Sequence, residues 1–177
     1  NITLSTSFES ISNCTFNGNN HTIANYTLSN KQYAGLLPNA IRVTVKNLTL
    51  KNANITAVND GSNNAYAGGF IGRAYGTNVV ENCTLENSIV QGINKVGGIA
   101  GFQAENGISI RKCTVKGSTI KVDTENQEYG QCGGILGYIG SVAAANEVSG
   151  NFIINTKVEA PANTNIGEEH RLSLIHI

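Results

Sequence analysis

The chain has 177 residues, about one domain's worth, with 12 Lys and Arg against 12 Asp and Glu and no formal net charge, a balance that speaks against nucleic acid or an anionic membrane as partner. No apolar run approaches the roughly 18 to 20 residues of a membrane-spanning helix. With 40% hydrophobic residues, only 14% charged, 20 Gly, 25 Asn, 2 Pro and neither Met nor Trp, the composition starves helices and suits a chain that turns repeatedly between short strands.

Asn1 is preceded by no initiator Met and followed by no charged-then-apolar leader, so the chain is expected to be a piece of a longer protein. Two faint β-type segments come first, Ile11-Ser-Asn-Cys-Thr-Phe-Asn-Gly18 and Ile23-Ala-Asn-Tyr-Thr-Leu-Ser-Asn30. Their pattern sharpens in Val45-Lys-Asn-Leu-Thr-Leu-Lys-Asn52 and returns as Val80-Glu-Asn-Cys-Thr-Leu-Glu-Asn87, Ile110-Arg-Lys-Cys-Thr-Val-Lys-Gly117 and, less clearly, Val148-Ser-Gly-Asn-Phe-Ile-Ile-Asn155. Between these copies stands a second recurring element: Gly68-Gly69-Phe70-Ile71-Gly72, Gly97-Gly98-Ile99-Ala100-Gly101 and Gly133-Gly134-Ile135-Leu136-Gly137. Unequal intervals between copies point to loops of different length, the longest at Val58 to Ala65 and Asp123 to Gln131. The last residues, Arg171 to Ile177, break with the Asn/Thr/Gly style and resemble the foreign tail of a metagenomic reading frame.

Laid over one another, the copies form columns. Val45, Val80, Ile110 and Val148 are apolar, as are Leu50, Leu85, Val115 and Ile154, so both columns are expected to face a core. Thr49, Thr84 and Thr114 suit a pleated surface. Asn52, Asn87, Gly117 and Asn155 mark a turn, since Asn and Gly best tolerate a left-handed backbone. Charges test the register independently: Lys46, Glu81, Arg111 and Lys51, Glu86, Lys116 alternate in sign, as neighbours about 4.8 Å apart in a sheet should. Apolar residues recur at alternate places rather than at helical spacing. The expected fold is an all-β, right-handed parallel β-helix (solenoid) of roughly five to six coils. A single domain is expected over 1–167, with an irregular first coil and clear repeats over 45–158; 168–177 reads as a disordered or non-native tail.

The Gly-Gly-x-x-Gly segments, each followed by an apolar strand, look like the GLUG repeat of bacterial surface proteins. Phe16-Asn-Gly-Asn-Asn-His-Thr-Ile23 followed by Gly35-Leu-Leu37 is similar to the entry coil that precedes such repeats, with Pro38 where a fourth Gly would stand. The resemblance covers roughly residues 8 to 160. It implies a secreted or surface-exposed repeat region, adhesin-like or part of a larger peptidase, and assigns the repeats no catalytic residue.

Candidate chemistry is sparse. Cys14, Cys83 and Cys113 align in the column held elsewhere by Leu48 and read as small buried hydrophobes; Cys83 and Cys113 on adjacent coils come close enough for a disulfide, though stacked parallel side chains rarely supply the torsion. With Cys132 they give no zinc spacing. The glycine segments lack the Lys-Ser/Thr of a phosphate loop; Gly68, Gly69, Gly72, Gly97, Gly98, Gly101, Gly133, Gly134 and Gly137 are expected to serve close coil packing. Polysaccharide lyases and hydrolases also use β-helices, but they rely on clustered Asp, and only Asp60 and Asp123 are present. Glu81 and Glu86 have cations beside them, which lowers rather than raises a carboxyl pKa. Asp123, Glu125 and Glu128 read as a solvated loop with at most weak Ca²⁺ affinity. His21, His170 and His176 share no column. Seven Asn-x-Ser/Thr sequons occur at Asn1, Asn13, Asn20, Asn25, Asn47, Asn54 and Asn82, four of them (Asn13, Asn25, Asn47, Asn82) assigned to the third column.

One stripe stands out. Arg73, Phe102 and Tyr138 each follow the last Gly of a motif; facing outward they would form a recognition stripe for glycan or protein, facing inward they would be core and turn packing. The expected function is therefore that of a non-catalytic extracellular stalk or adhesive surface, without cofactor or metal, meeting a glycan or protein partner and adjoining repeats of its own chain, but not nucleic acid or the membrane interior. A carbohydrate-active β-helix and a spacer of a larger surface peptidase are the alternatives.

Overall fold

The computed structural model describes residues 8, 10–58, 61, 64–123, 130–140 and 145–160. Every strand pairing among them is parallel, and each strand pairs with its counterparts one coil before and after. The chain winds through four sheets per turn. Sheet 1 holds Ile11–Ser12, Leu37–Ile41, Ile71–Tyr75, Ala100–Gln103 and Leu136–Ile139. Sheet 2 holds Thr15–Ala24, Thr44–Lys51, Asn78–Glu86, then Ile108–Arg111 with Thr114–Lys116, and Glu147–Ser149 with Phe152–Ile154. Sheet 3 holds Thr27–Lys31, Asn54–Ala57, Ile89–Gly92, Thr119–Val122 and Lys157–Glu159, and sheet 4 holds Tyr33–Ala34, Tyr66–Gly68, Lys95–Gly97 and Gln131–Gly133. Among the described residues the result is a parallel β-solenoid of about four turns, with five rungs in three sheets and four in the last, fewer turns than the expected five to six coils.

The core is a stack of columns. Val45, Val80 and Ile110 are fully buried, as are Leu50, Leu85 and Val115, and Leu36, Phe70 and Ile99 line the opposite wall. Alternation within sheet 2 is what seals it, since successive side chains on a strand point to opposite faces. The outward positions carry the charges: Glu81 pairs with Lys46 and Arg111, and Glu86 with Lys51 and Lys116, in the register the sign alternation requires.

Corners between sheets carry left-handed residues. Asn25, Asn52, Asn87, Gly117 and Asn155 have φ between 47° and 58°. A second ladder, Asn47, Asn82, Lys112 and Gly150, has φ of 51–60° in the middle of the long sheet, where Asn47 and Asn82 bond side chain to side chain at 2.8 Å. Buried polar side chains cap the next corner: Ser88 Oγ accepts from the Ala53 amide at 2.9 Å, and Ser118 Oγ from the Ser88 amide at 3.1 Å. Such ladders satisfy backbone groups that a turn would otherwise leave unpaired in the core.

The first coil departs from the expected register. Ile11 pairs with Ala40 in sheet 1; Phe16 takes Val45's column and Ile23 takes Leu50's. Two extra residues are absorbed between Asn17 and His21, where Asn19 and Asn20 are both left-handed. Three assignments change with it. Cys14 is exposed and lies outside the Leu48 column, which His21 occupies. Asn25 belongs to the corner ladder beside Asn52, its amide donating to Lys51 O at 2.9 Å. Asn13 stands at the sheet 1 to sheet 2 corner, bonded to Ile41 O. In the last coil Val115 pairs with Ile153 rather than Ile154, which instead faces out opposite Lys116 and is 47% exposed.

The glycine motifs form the arch from sheet 4 to sheet 1. None of their nine glycines has a positive φ; they are required for space. A Cβ on Gly97 would fall on Ala100 O, and one on Gly101 would lie 2.7 Å from both Ala67 O and Gly72 O. Backbones of the two sheets thus touch where side chains would hold them apart. In the first coil Pro38 does hold the place of Gly72, since Leu37 pairs with Ile71 and Asn39 with Arg73.

Candidate binding surface

The glycine arch sets the geometry of its own outer side. Because sheets 4 and 1 meet without spacing side chains, two outward columns come within contact. On sheet 4 the column is Tyr33, Tyr66, Lys95 and Gln131; on sheet 1 it is Asn39, Arg73, Phe102 and Tyr138. The stripe of Arg73, Phe102 and Tyr138 is thus in register, and each of its members is half-buried rather than core.

Rings and cations interlock across the columns. Tyr33 stacks on Tyr66 at 5.4 Å, Tyr66 meets Phe102 edge-on at 4.8 Å, and Phe102 stacks on Tyr138 at 5.8 Å. Lys95 Nζ lies over three rings, 5.3 Å from Tyr66, 5.4 Å from Phe102 and 5.0 Å from Tyr138. Arg73 does not sit on Phe102; its guanidinium is 5.4 Å from Tyr33 and 5.7 Å from Tyr75. Each contact is within the range where the ring quadrupole attracts a cation, about 0.5–1 kcal/mol when exposed. Burial lowers the Lys95 pKa. The Tyr66 pKa is raised by burial and by Tyr33, and its hydroxyl donates to Asn64 Oδ1 at 2.7 Å. A hydrogen bond to Glu105 raises the Tyr75 pKa at the edge of the cluster.

Four members, Tyr33, Tyr66, Tyr75 and Lys95, lie outside the stripe that the sequence suggests. Their signal was nonetheless present: Tyr33, Tyr66, Lys95 and Gln131 each precede a Gly by the same two places. Only the arch makes that column a neighbour of the other.

The remaining candidates do not converge. Cys83 and Cys113 are buried and free, their thiols donating to the main-chain carbonyls of Glu81 and Arg111 at 3.3 and 3.4 Å; the neighbouring Cys113 thiol and burial hold the Cys83 pKa up, and burial pushes Cys132 up to about 12. The Arg111 side chain holds the Glu81 pKa down, and that of Lys51 the Glu86 pKa, as their flanking cations imply. Asp123 accepts from Gln91 and Lys121, while Asp60, Glu125, Glu128, His170, His176 and the tail over 168–177 lie outside the described residues. Among the described residues no three His, Cys, Asp or Glu side chains group as a metal site.

Comparison with known proteins places the repeat. Residues 63–90, which span one glycine arch and the long strand after it, match the family model described as the GLUG motif. Halomucin of Haloquadratum walsbyi is 34% identical over 111 residues, an alignment covering 57% of this chain and 1% of that very long protein. A solved structure of a Bacteroides ovatus protein, named as a candidate immunoglobulin A1 protease, aligns over 80% of this chain and 68% of its own, with 16% identity and a TM-score of 0.41. Residues 63–90 are thus similar to the GLUG motif, and the same glycine arch recurs in register in the two coils that follow.

Proposed function

We propose that the chain is a non-catalytic section of a cell-surface or extracellular protein, serving as a stiff stalk with an adhesive side. The observation that carries this is the register of four parallel ladders, kept from the second coil to the last: each coil hands its backbone hydrogen bonds to the next, so stiffness accumulates along one axis. The GLUG motif and the similarity to halomucin favour the surface setting. A carbohydrate-cleaving reading is disfavoured by the state of the carboxylates. A general acid for glycoside hydrolysis needs a raised pKa, whereas Glu81, Glu86 and Glu147 are all held down by hydrogen bonds and neighbouring cations.

Antibody raised against the chain is expected to label intact cells of the source without permeabilisation, and labelling only of opened cells would overturn the surface reading. New reducing ends released from pectin or β-glucan by the purified chain would overturn the non-catalytic one.

A further inference from the structure

We propose that the aromatic and cationic corner between sheets 4 and 1 binds a linear acidic polysaccharide, with sugar faces on Tyr33, Phe102 and Tyr138 and uronate carboxylates on Arg73 and Lys95. This rests on the reading of the chain as an adhesive surface and names the side and the ligand chemistry.

Five of the chain's eleven aromatic residues (Tyr33, Tyr66, Tyr75, Phe102, Tyr138) gather on this one corner. A solenoid needs none of them there, because outward positions of a sheet are satisfied by any polar residue. Stacked along the ladder, the half-buried rings of Tyr33, Phe102 and Tyr138 leave apolar edges with a polar rim, a side against which the C–H groups of a sugar rest.

Charge selects among sugars. On sheet 2 the cations are answered within the protein: Lys51 and Lys116 flank Glu86 at 3.1 and 3.3 Å, and Arg111 reaches Glu81 at 3.1 Å. At the corner, Arg73 and Lys95 form no ion pair among the described residues; both lie over rings, and Lys95 Nζ donates to Asn94 Oδ1 at 2.8 Å. Neither column contains an Asp or Glu; the Glu105 side chain hydrogen-bonds Tyr75 at the margin. Two positive charges with no carboxylate partner among the described residues, held beside stacked rings, complement an anionic group carried on a sugar ring. A carboxylate accepts charge-assisted bonds from both cations.

Shape selects a chain over a single sugar. Corner residues recur once per rung, about 4.8 Å apart along the axis, so a polymer aligned with the solenoid meets an equivalent position at each coil. Ring positions are fixed by backbone ladders on both sides, which removes much of the ordering cost of binding.

Tyrosine fluorescence reads this site directly, because Tyr33, Tyr66, Tyr75 and Tyr138 are four of the six tyrosines and the chain has no Trp. The 177-residue chain is titrated with oligogalacturonate and hyaluronan oligosaccharides, and with cellohexaose as the neutral probe. Saturable change with at least one acidic probe is expected, at least tenfold weaker with cellohexaose and weakened by added salt. Arg73→Gln and Lys95→Gln, on half-exposed side chains, are each expected to cost at least tenfold in affinity with an unchanged circular dichroism spectrum. Lys51→Gln, on the opposite charged ladder, is expected to leave it unchanged. No response to either acidic probe, equal binding of cellohexaose, or an equal loss in Lys51→Gln would overturn the proposal. Any of these outcomes leaves cell-surface labelling, and hence the stalk reading, where it stands.

Discussion

Gly98 and Gly134 occupy the same place in consecutive coils, yet their surroundings differ. A Cβ on Gly98 would fall on Gly134 O and lie 2.9 Å from Val115 Cγ2; a Cβ on Gly134 would meet the far end of the Ile153 side chain. The first neighbour is backbone held in a ladder, the second a flexible methyl group. The same contrast runs through the whole coil. In the interior, Val80, Ile110, Phe70 and Ile99 are fully buried, while in the last described rung Val148, in the column of Val80 and Ile110, is 49% exposed. One sequence pattern therefore yields two energetic regimes, because a solenoid coil is sealed only when it has a neighbour on both sides.

Glycine replacement separates those regimes most sharply. Gly98→Val is expected to cost about 3 kcal/mol or more, since overpacking against backbone cannot relax by a rotamer change. Gly134→Ala is expected to cost less than about 1 kcal/mol, with Ile153 turning aside. Denaturant midpoints followed by circular dichroism decide between them. Equal losses would mean that the two arches are equally enclosed and would break the comparison.

Truncation of aromatic residues sharpens it from the other direction. Phe70→Ala empties a fully buried position beneath the arch, and such a loss typically costs about 3–5 kcal/mol. Phe152→Ala removes a ring already more than half in water and is expected to stay within about 0.5 kcal/mol of the parent. A large loss at Phe152 in the same unfolding experiment would show that the last rung is covered in solution.

The sequence carried the interior coils well and the ends poorly, for physical reasons. Sign alternation through Lys46, Glu81 and Arg111 fixes register because like charges cannot sit on adjacent rungs, and the pairing follows it residue by residue. The first coil escaped this test, having no charge in the matching positions, so the two residues inserted between Asn17 and His21 left no mark. Ile154 was read as core because Ile153 and Ile154 are both apolar and pattern alone does not separate them; the ladder gives Leu50's column to Ile153 and turns Ile154 outward opposite Lys116. At the binding surface the sheet 1 column was legible from its fixed offset after each glycine motif. The sheet 4 column was not joined to it, since contact between them depends on the three-dimensional closeness of the arch rather than on any spacing along the chain.

Acid is expected to have a smaller effect, confined to sheet 2. Glu81, Glu86 and Glu147 have folded-state pKa values below the ordinary 4.5. A depressed carboxyl pKa contributes stability that is present above about pH 4.5 and is lost as pH falls through the folded value. Thermal midpoints should thus be level from pH 7 to about pH 5 and decline below it. Glu86→Gln should shallow that decline, and 1 M salt should do the same, because these side chains are solvent-accessible and screened. An unchanged decline in Glu86→Gln would place the acid-sensitive groups elsewhere.

Lys46→Ala is the smallest change with a definite expectation. Glu81 is already engaged by Arg111 at 3.1 Å and approached by Lys112 at 4.0 Å, and Lys46 acts on it only through the longer-range field. Removing Lys46 should therefore cost no more than a few tenths of a kcal/mol. Arg111→Ala should cost more, because Arg111 joins Glu81 to Glu147 across two coil boundaries at 3.1 and 3.6 Å and covers part of the sheet with its stem. If Lys46→Ala proved the more damaging of the two, the charge ladder would be stabilised from its N-terminal side. The interior coils would then lean on the irregular first coil more than their pairing indicates.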